Sequence, residues 1–307
     1  MAHVTSLNDV QLEQPSLVTI GVFDGVHRGH QQLIRALVER AKASGQLTVV
    51  LTFFPHPDIV LRGLTGRYYL TTPEQRAEQL HHLGVDTVIT QTFDEAFRRT
   101  GAQNYITQLC QRLNMTELWV GQQFALGYER EGDVAFLTQL GESKGYTVHA
   151  VELVADADQH VISSTSIRGL LQEGKVEQVT RLLGRSFSVD AEVVQGDQRG
   201  RTIGFPTANL AVWDEQVLPA YGVYAGWATV DGVRRPAVIN IGVRPTFDGQ
   251  RMAVEAHLLD FDGNLYGKVL NLSFDFWLRG ERRFEGINAL VAQIHADVEA
   301  GRIILEH

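Results

Sequence analysis

Apolar positions in the first half of the chain switch repeatedly between two spacings. Leu17–Phe23 and Leu47–Phe54 are short, nearly continuous runs rich in β-branched and aromatic side chains, as expected of strands covered on both faces. Between them Leu33, Ile34, Leu37, Val38 and Ala41 recur at helical spacing, which predicts a helix over about His30 to Ser44 with Gly45 as its stop. Thr72, Pro73 and Gln75 supply a cap, a first helical residue and a capping box for a helix that turns Leu80 and Leu83 inward and ends at Gly84. Strands at Thr87–Thr90, Glu117–Gly121 and Tyr146–Leu153, with helices near Ala102–Leu113 and Val134–Leu140, continue the alternation. Strand and helix in turn predict an α/β domain built on a parallel sheet.

Ser163 to Gly184 starts polar and continues at helical spacing through Leu170, Leu171, Val176, Val179, Leu182 and Leu183. After Gly184 a period of two takes over. Phe187–Val194, Gly222–Val230, Arg234–Ile241, Met252–Leu259 and Lys268–Phe276 read as strands, with turn signals at Asp231-Gly232 and Asp262-Gly263. In the last of these, Leu270, Leu272, Phe274 and Phe276 share one face. Ile287, Leu290, Val291, Ile294 and Val298 then form the stripe of a closing helix. Many strands followed by one helix predict a small antiparallel barrel or rolled sheet, partly closed by that helix. The boundary falls at about Gly184 to Ser186, giving domains 1–184 and 185–307.

Composition narrows the function classes. The 307 residues suffice for two cores, and 36 acidic against 27 basic side chains give a net charge of -9. Residues 1–184 carry 15 basic and 20 acidic groups and residues 185–307 carry 12 and 16, so neither half is a polybasic nucleic-acid module. No apolar run reaches the ~18 residues of a membrane span, and Met1 to Asn8 lacks the pattern of a signal peptide. Cys110 is the only cysteine, which excludes an internal disulfide and a cysteine-rich zinc site; at helical spacing with Ile106, Leu109 and Leu113 it reads as a core thiol. A soluble cytoplasmic protein is expected.

The sharpest local feature is Gly21-Val22-Phe23-Asp24-Gly25-Val26-His27-Arg28-Gly29-His30, between a strand and a helix. A strand's carboxyl end feeding a helix N-terminus is where α/β sheets bind anions, and glycines there let backbone N–H groups approach phosphate. His27 and His30 can each donate to a phosphate oxygen, and an imidazolium would add charge stabilisation. A histidine pair with Asp24 is also a conceivable metal site, but the helix terminus favours phosphate. The segment is neither a G-x-x-x-x-G-K-[ST] loop nor a G-x-G-x-x-G turn. His56, in Phe54-Pro55-His56-Pro57, sits where the next strand ends, either in a loop beneath a substrate or in a plain rigid turn. Ser163-Ser164-Thr165-Ser166-Ile167-Arg168 places hydroxyls and a guanidinium at a helix start, a set that suits a polyphosphate or an ordinary serine cap.

In the second half Gly200–Leu210 is a glycine-flanked loop with oxygen donors at Thr207 and Asn209, two apart and on one side if extended. Such a pair can organise magnesium when ATP and water supply the remaining ligands. On Met252–Leu259 the apolar face carries Val254, Ala256 and Leu258, while Glu255 and His257 point the other way. A carboxylate inside or at the mouth of a barrel can serve as a general base for an alcohol attacking phosphorus; a carboxylate on a solvated sheet face is the alternative.

Taken together, Gly21–His30, Phe53–Pro57, Gly121–Gly132, Ile162–Arg168, Gly200–Leu210, Pro219–Ala225, Asn240–Phe247, Val254–Phe261 and Phe274–Gln293 make the chain resemble the bacterial bifunctional riboflavin kinase/FMN adenylyltransferases, or FAD synthetases. The resemblance spans nearly the whole chain. It implies a nucleotidyltransferase-like parallel-sheet domain followed by a riboflavin-kinase barrel with a terminal helix. It further implies ATP, riboflavin and FMN as substrates with Mg2+, no nucleic-acid partner and no membrane. Glu255 then corresponds to the kinase base and Thr207 with Asn209 to the magnesium pair. His27, His30 and Arg168 fall on phosphate-handling motifs. Gly21, Phe23, Asp24, Gly25, Gly29, His56, Gln123, Ser163, Ser164, Thr165, Gly204, Pro206 and Arg283 fall on substrate-binding segments. Gln123 stands where the family typically has Asp, Leu126 replaces a Phe, Ser166 an Arg, and Thr100-Gly101-Ala102 lacks a Ser-Pro. These departures motivate a second reading, a riboflavin kinase whose first domain adenylylates weakly or with altered specificity. A non-catalytic flavin- or nucleotide-binding regulator is the third.

Overall fold

A computed structural model of the chain describes residues 1–152, 162–196, 200, 203–246 and 249–306, of which 244–246 and 249–251 are described by backbone alone. Leu153, Arg201, Thr202 and Phe247 of the segments above lie outside the described residues. The chain divides into two compact units, Met1–Ser164 and Thr165–His307.

In the first unit six strands form one parallel sheet: β1 (Ala2–Val4), β2 (Ser16–Ile20), β3 (Leu47–Phe54), β4 (Thr87–Thr92), β5 (Met115–Gly121) and, after a small hairpin of β6 (Ala125–Leu126) and β7 (Gly132–Asp133), β8 (Thr147–Val151). Their order is β1-β4-β3-β2-β5-β8. From β2 the chain winds outward through β3 and β4, then returns to β5 on the other side. The carboxyl end of β2 therefore borders the topological switch point, where open α/β sheets leave a crevice. Helices α1 (Arg28–Ser44), α2 (Pro57–Arg62), α3 (Pro73–His82), α4 (Glu95–Arg98), α5 (Ala102–Leu113) and α6 (Val134–Lys144) connect the strands. Val18, Val49 and Leu51 pack toward Ile106 and Leu109 of α5, and Val50 and Val88 toward Ile34 and Val38 of α1 and Leu80 of α3. The α3 capping box is present as predicted: Thr72 Oγ1 accepts from Gln75 N and Gln75 Oε1 from Thr72 N, both at 3.1 Å. Strand β1 was not predicted, because three exposed or half-buried residues carry no periodicity.

The second unit opens with α7 (Ser164–Gln172) and α8 (Val176–Leu183), where the spacing predicted one helical run. Gly174, at φ 76, breaks it. A Cβ there would lie 2.7 Å from the Trp277 ring, so the break is fixed by close packing. Both helices group with the barrel, and the compact division falls ahead of the boundary expected at 184. The Trp277 N–H donates to Glu177 on α8 at 3.3 Å, one of the ties behind that grouping.

Strands β9 (Phe187–Val194), β10 (Ala208–Val212), β11 (Gly222–Val230), β12 (Val233–Thr246), β13 (Gly249–Leu258) and β14 (Val269–Phe274) close a ring in the order β12-β13-β10-β9-β14-β11, with β11 pairing back onto β12. All these pairings are antiparallel. Asp231 (φ 50) and Gly232 (φ 76) make the tight β11–β12 turn that the sequence signalled. Asp262-Gly263 instead lies in the connection between β13 and β14, which are not neighbours. The predicted strand Lys268–Phe276 divides at Asp275, whose carboxylate accepts from Ser186 and Ser273 and whose N–H donates to Ala225 O at 3.0 Å. Beyond it β15 (Phe276–Gly280) continues along the same edge of β11, so Phe276 is half-buried and leaves the fully buried face of Leu270, Leu272 and Phe274. The final helix, α9 (Ile287–Glu306), packs on β11, β12 and β15. It comes close to the sheet at Gly301, where a Cβ would stand 2.9 Å from Val238.

Candidate active sites

The turn after β2 owes its shape to backbone conformations that side chains rarely adopt. Phe23 (φ 50), Gly25 (φ 78) and Val26 (φ 37) are all left-handed. Gly21 lies under the Phe23 ring, 2.9 Å from where its Cβ would be, and Gly25 faces Leu70 at 2.7 Å. The turn delivers His27 as the N-cap of α1, its Nδ1 accepting from the His30 N–H at 3.4 Å. The two imidazoles stack with centroids 3.6 Å apart, and Phe23 meets His30 edge-on at 5.2 Å. His30 Nδ1 is buried without a hydrogen-bond partner. Burial, then His27 and Arg76, push this imidazole well below its ordinary pKa, so it is neutral in the free protein rather than the imidazolium considered from sequence.

Asp24 has a different placement from the ligand role expected of it. Its carboxylate is fully buried and accepts from Leu70 N, Thr71 N and Thr71 Oγ1 at 3.1–3.2 Å, with Arg76 Nη2 at 3.7 Å. It is an anchor for the turn, which is also why it does not join a histidine metal site. Its carbonyl accepts from Ser164 Oγ at 2.9 Å, so the serine run docks on the same turn. Ser163 is half-buried beside it. Gly29 sits where a Cβ would be 3.3 Å from the His27 ring. Thr165 and Arg168 belong to the second unit, the first exposed and the second buried on α7. His56 is buried as the N-cap of α2: its Nδ1 accepts from Asp58 N at 3.0 Å and its N–H donates to Tyr69 Oη at 2.9 Å. Gln123 lies in the exposed turn after β5, its carbonyl bonded by Arg130 at 3.2 Å.

In the second unit the pleat of three strands builds the site. Glu255 stands opposite Asn209 on β10 and Asn240 on β12. Val254, Ala256 and Leu258 point into the barrel and are buried, so Glu255 and His257 face out. The carboxylate is on the barrel's outer wall, not inside it or at its mouth. That wall, the loop at 203–207 and α9 enclose a cavity of about 970 Å³ lined by Thr207, Asn240, Glu255, His257 and Arg283, with Ile287, Leu290 and Ile294 of the predicted stripe. Thr207 also lines a second cavity of about 570 Å³, with Pro206, Phe261, Asn264 and Tyr266. Thr207 precedes β10, a strand that the loop reading missed, and Gly196 lies so close to the Asn209 amide that no Cβ fits. The Gly200 carbonyl accepts from Ile203 N and Phe205 N at 3.2 and 2.9 Å, while Gly204 (φ 88) and Pro206 are exposed. Phe205 is buried between His257 and His295, and His257 Nδ1 bonds the Pro206 carbonyl oxygen at 2.8 Å. Arg279 ties β15 to α9 through Asp297 at 2.7–3.1 Å.

Sequence reasoning missed Arg76, Thr52 and Asn240. Asn240 was legible as the residue opposite Glu255 once the register was known; Arg76 gave no signal on a helix of polar composition.

Two family models divide the chain between them: FAD synthetase over residues 9–166 and riboflavin kinase over residues 183–305. The bifunctional riboflavin kinase/FMN adenylyltransferase of Pseudomonas fluorescens is 38% identical over 307 residues, covering 99% of this chain and 98% of its own. That of Escherichia coli K12 is 37% identical, covering 93% and 91%. The chain belongs to the bifunctional riboflavin kinase/FMN adenylyltransferase family. It is thus an enzyme that phosphorylates riboflavin to FMN and adenylylates FMN to FAD. A solved structure described as a macrolide-efflux protein from Streptococcus pneumoniae has the same fold, with TM-score 0.88 at 29% identity over 98% of both chains. Among the described residues of this family member no helix is long and apolar enough to cross a membrane.

Proposed function

We propose that the turn after β2 is the adenylyl-transfer site and the outer-wall cavity of the barrel the kinase site, with residues 1–184 and 185–307 as the respective catalytic domains. The observation that carries the kinase assignment is Thr207, common to both cavities, with Glu255 on one side of it only. Riboflavin occupies the larger cavity against the apolar stripe of α9, and ATP the smaller. Glu255 takes the proton of the riboflavin 5′-hydroxyl as its oxygen bonds the γ-phosphorus, and the bond to ADP breaks.

Thr207 and Asn209 offer hard oxygen donors two positions apart in the chain, and among the described residues no group of three His, Cys, Asp or Glu is placed to hold a metal. That donor set fits Mg2+ that retains phosphate and water ligands. When bound, Mg2+ neutralises phosphate charge; the protein's own part is to fix the ends of the reaction path.

In the first domain the FMN phosphate attacks the α-phosphorus of a second ATP and pyrophosphate leaves. An ionised phosphate needs no base, so positioning and hydrogen bonding by His27, His30 and the turn carry the step. Ser163 and Ser164, in the same unit as the turn, extend the phosphate-binding set. The reaction runs in the cytoplasm on small-molecule substrates.

The test is a time course with purified protein, riboflavin, ATP and magnesium, resolving FMN, FAD, ADP and pyrophosphate. FMN with ADP appears first and FAD with pyrophosphate follows. His30→Ala halts the sequence at FMN; an unchanged FAD rate in that variant would show the turn is not the adenylyl site.

A further inference from the structure

Arg76 has no exposed surface, and a charged side chain is almost never fully buried unless paired. From α3 its Nη1 donates to Thr52 Oγ1 at 3.0 Å and to the Phe53 carbonyl oxygen at 3.2 Å, where β3 ends. Thr52 Oγ1 in turn donates to the Val22 carbonyl oxygen at 2.7 Å. Nη2 lies 3.7 Å from Asp24 Oδ1. Val22 and Asp24 flank Phe23, the left-handed residue whose ring rests against His30. One buried cation thus reaches the turn on both sides of Phe23, through Thr52 at Val22 and directly at Asp24.

We propose that Arg76 is a positioning residue for FMN adenylylation: it clamps the turn from beneath at Val22 and Asp24 and so keeps His27 and His30 aimed at the phosphates. It touches no substrate. The inference rests on the reading of the turn as the adenylyl-transfer site. Its charge adds to the effect of burial and of His27 in keeping His30 neutral.

Three variants of the full-length enzyme test this, with FMN and ATP supplied and riboflavin phosphorylation followed alongside. Arg76→Met lowers kcat for FAD formation about 30-fold while the KM values for ATP and FMN stay within about twofold, the pattern of lost transition-state positioning. In the same variant the His30 imidazole, followed by NMR, titrates at higher pH. Arg76→Lys keeps a buried cation and retains kcat within about threefold. The double variant Arg76→Met/Asp24→Asn removes the charge pair together, so it folds without an unpaired buried carboxylate, and it remains slow.

Wild-type kcat in a folded Arg76→Met overturns the proposal. So does a double variant as fast as Asp24→Asn alone, which would mean that Arg76 only neutralises Asp24; this comparison decides if Arg76→Met does not fold. His30→Ala separates the two levels. FAD synthesis intact in His30→Ala removes the site reading and the proposal with it, whereas loss in His30→Ala but not in the Arg76 variants removes the proposal alone.

Discussion

At the end of β2 the chain leaves its sheet through left-handed residues and hands over two histidines within four positions. On β13 nothing is strained: Glu255 reaches its cavity because every second residue of a strand faces away from the barrel core. On the proposed function both regions serve an oxygen attacking phosphorus. They differ in where the positioning comes from. The turn is held by buried groups beneath it, Asp24 and Arg76, which must be satisfied in a dry interior. The barrel site inherits its geometry from three strands in register, so Asn209, Glu255 and Asn240 line up across them. On that reading an alcohol nucleophile, which needs a base, is given one carboxylate on a stiff strand, and a phosphate nucleophile, which needs alignment, is given a braced turn.

The sharpest way to separate the two regions is Glu255→Gln. Riboflavin phosphorylation falls about 10²–10⁴-fold, the range of a lost general base, while FAD formation from supplied FMN is unchanged. Gly25→Val attacks the other side of the comparison. A β-branched residue at φ 78, with Leu70 2.7 Å from its Cβ, costs about 2 kcal/mol or more; FAD synthesis drops about 30-fold and phosphorylation is spared. Asp297→Ala tests whether the roof of the barrel cavity is held as the turn is, by charge. Losing the hydrogen bonds to Arg279 costs about 2 kcal/mol, seen as a lower urea midpoint of the second unit and a raised KM for riboflavin.

The smallest effect is on pH. His30 has a pKa lowered from 6.5, so the unfolded chain takes up a proton there before the folded one does. Stability of the first unit is therefore full above about pH 6.5 and declines as pH falls through that value toward the folded pKa. His30→Gln flattens the decline in thermal unfolding between about pH 5 and 8. A residual slope remains from His3, lowered chiefly by its own burial.

What could be read from the sequence follows from the range of each interaction. Capping and period are local, so α3 with its Thr72–Gln75 box and α5 at Ala102–Leu113 match their predicted bounds, as do β3, β9 and β11. The break at Gly174 depends on Trp277, a hundred positions away, and the helical spacing on either side hid it. Glu255 was legible as an outlier on an alternating strand, but which side of the barrel it faces depends on closure of the ring. The burial of Asp24 was hidden for the same reason. A carboxylate in a phosphate-type turn suggests a ligand, and only the fold brings Leu70, Thr71 and Arg76 around it.

The parity of β13 separates two kinds of selection along one stretch of backbone. Position 254 answers to volume alone and can drift among apolar residues of similar size, 256 and 258 also wall the smaller cavity, and 255 and 257 face the larger one. A one-residue insertion in this strand would exchange the two sets, turning the acid inward and the aliphatic groups toward the larger cavity. Substitutions can accumulate on the inner face where it borders neither cavity, but its strands cannot change length by an odd number.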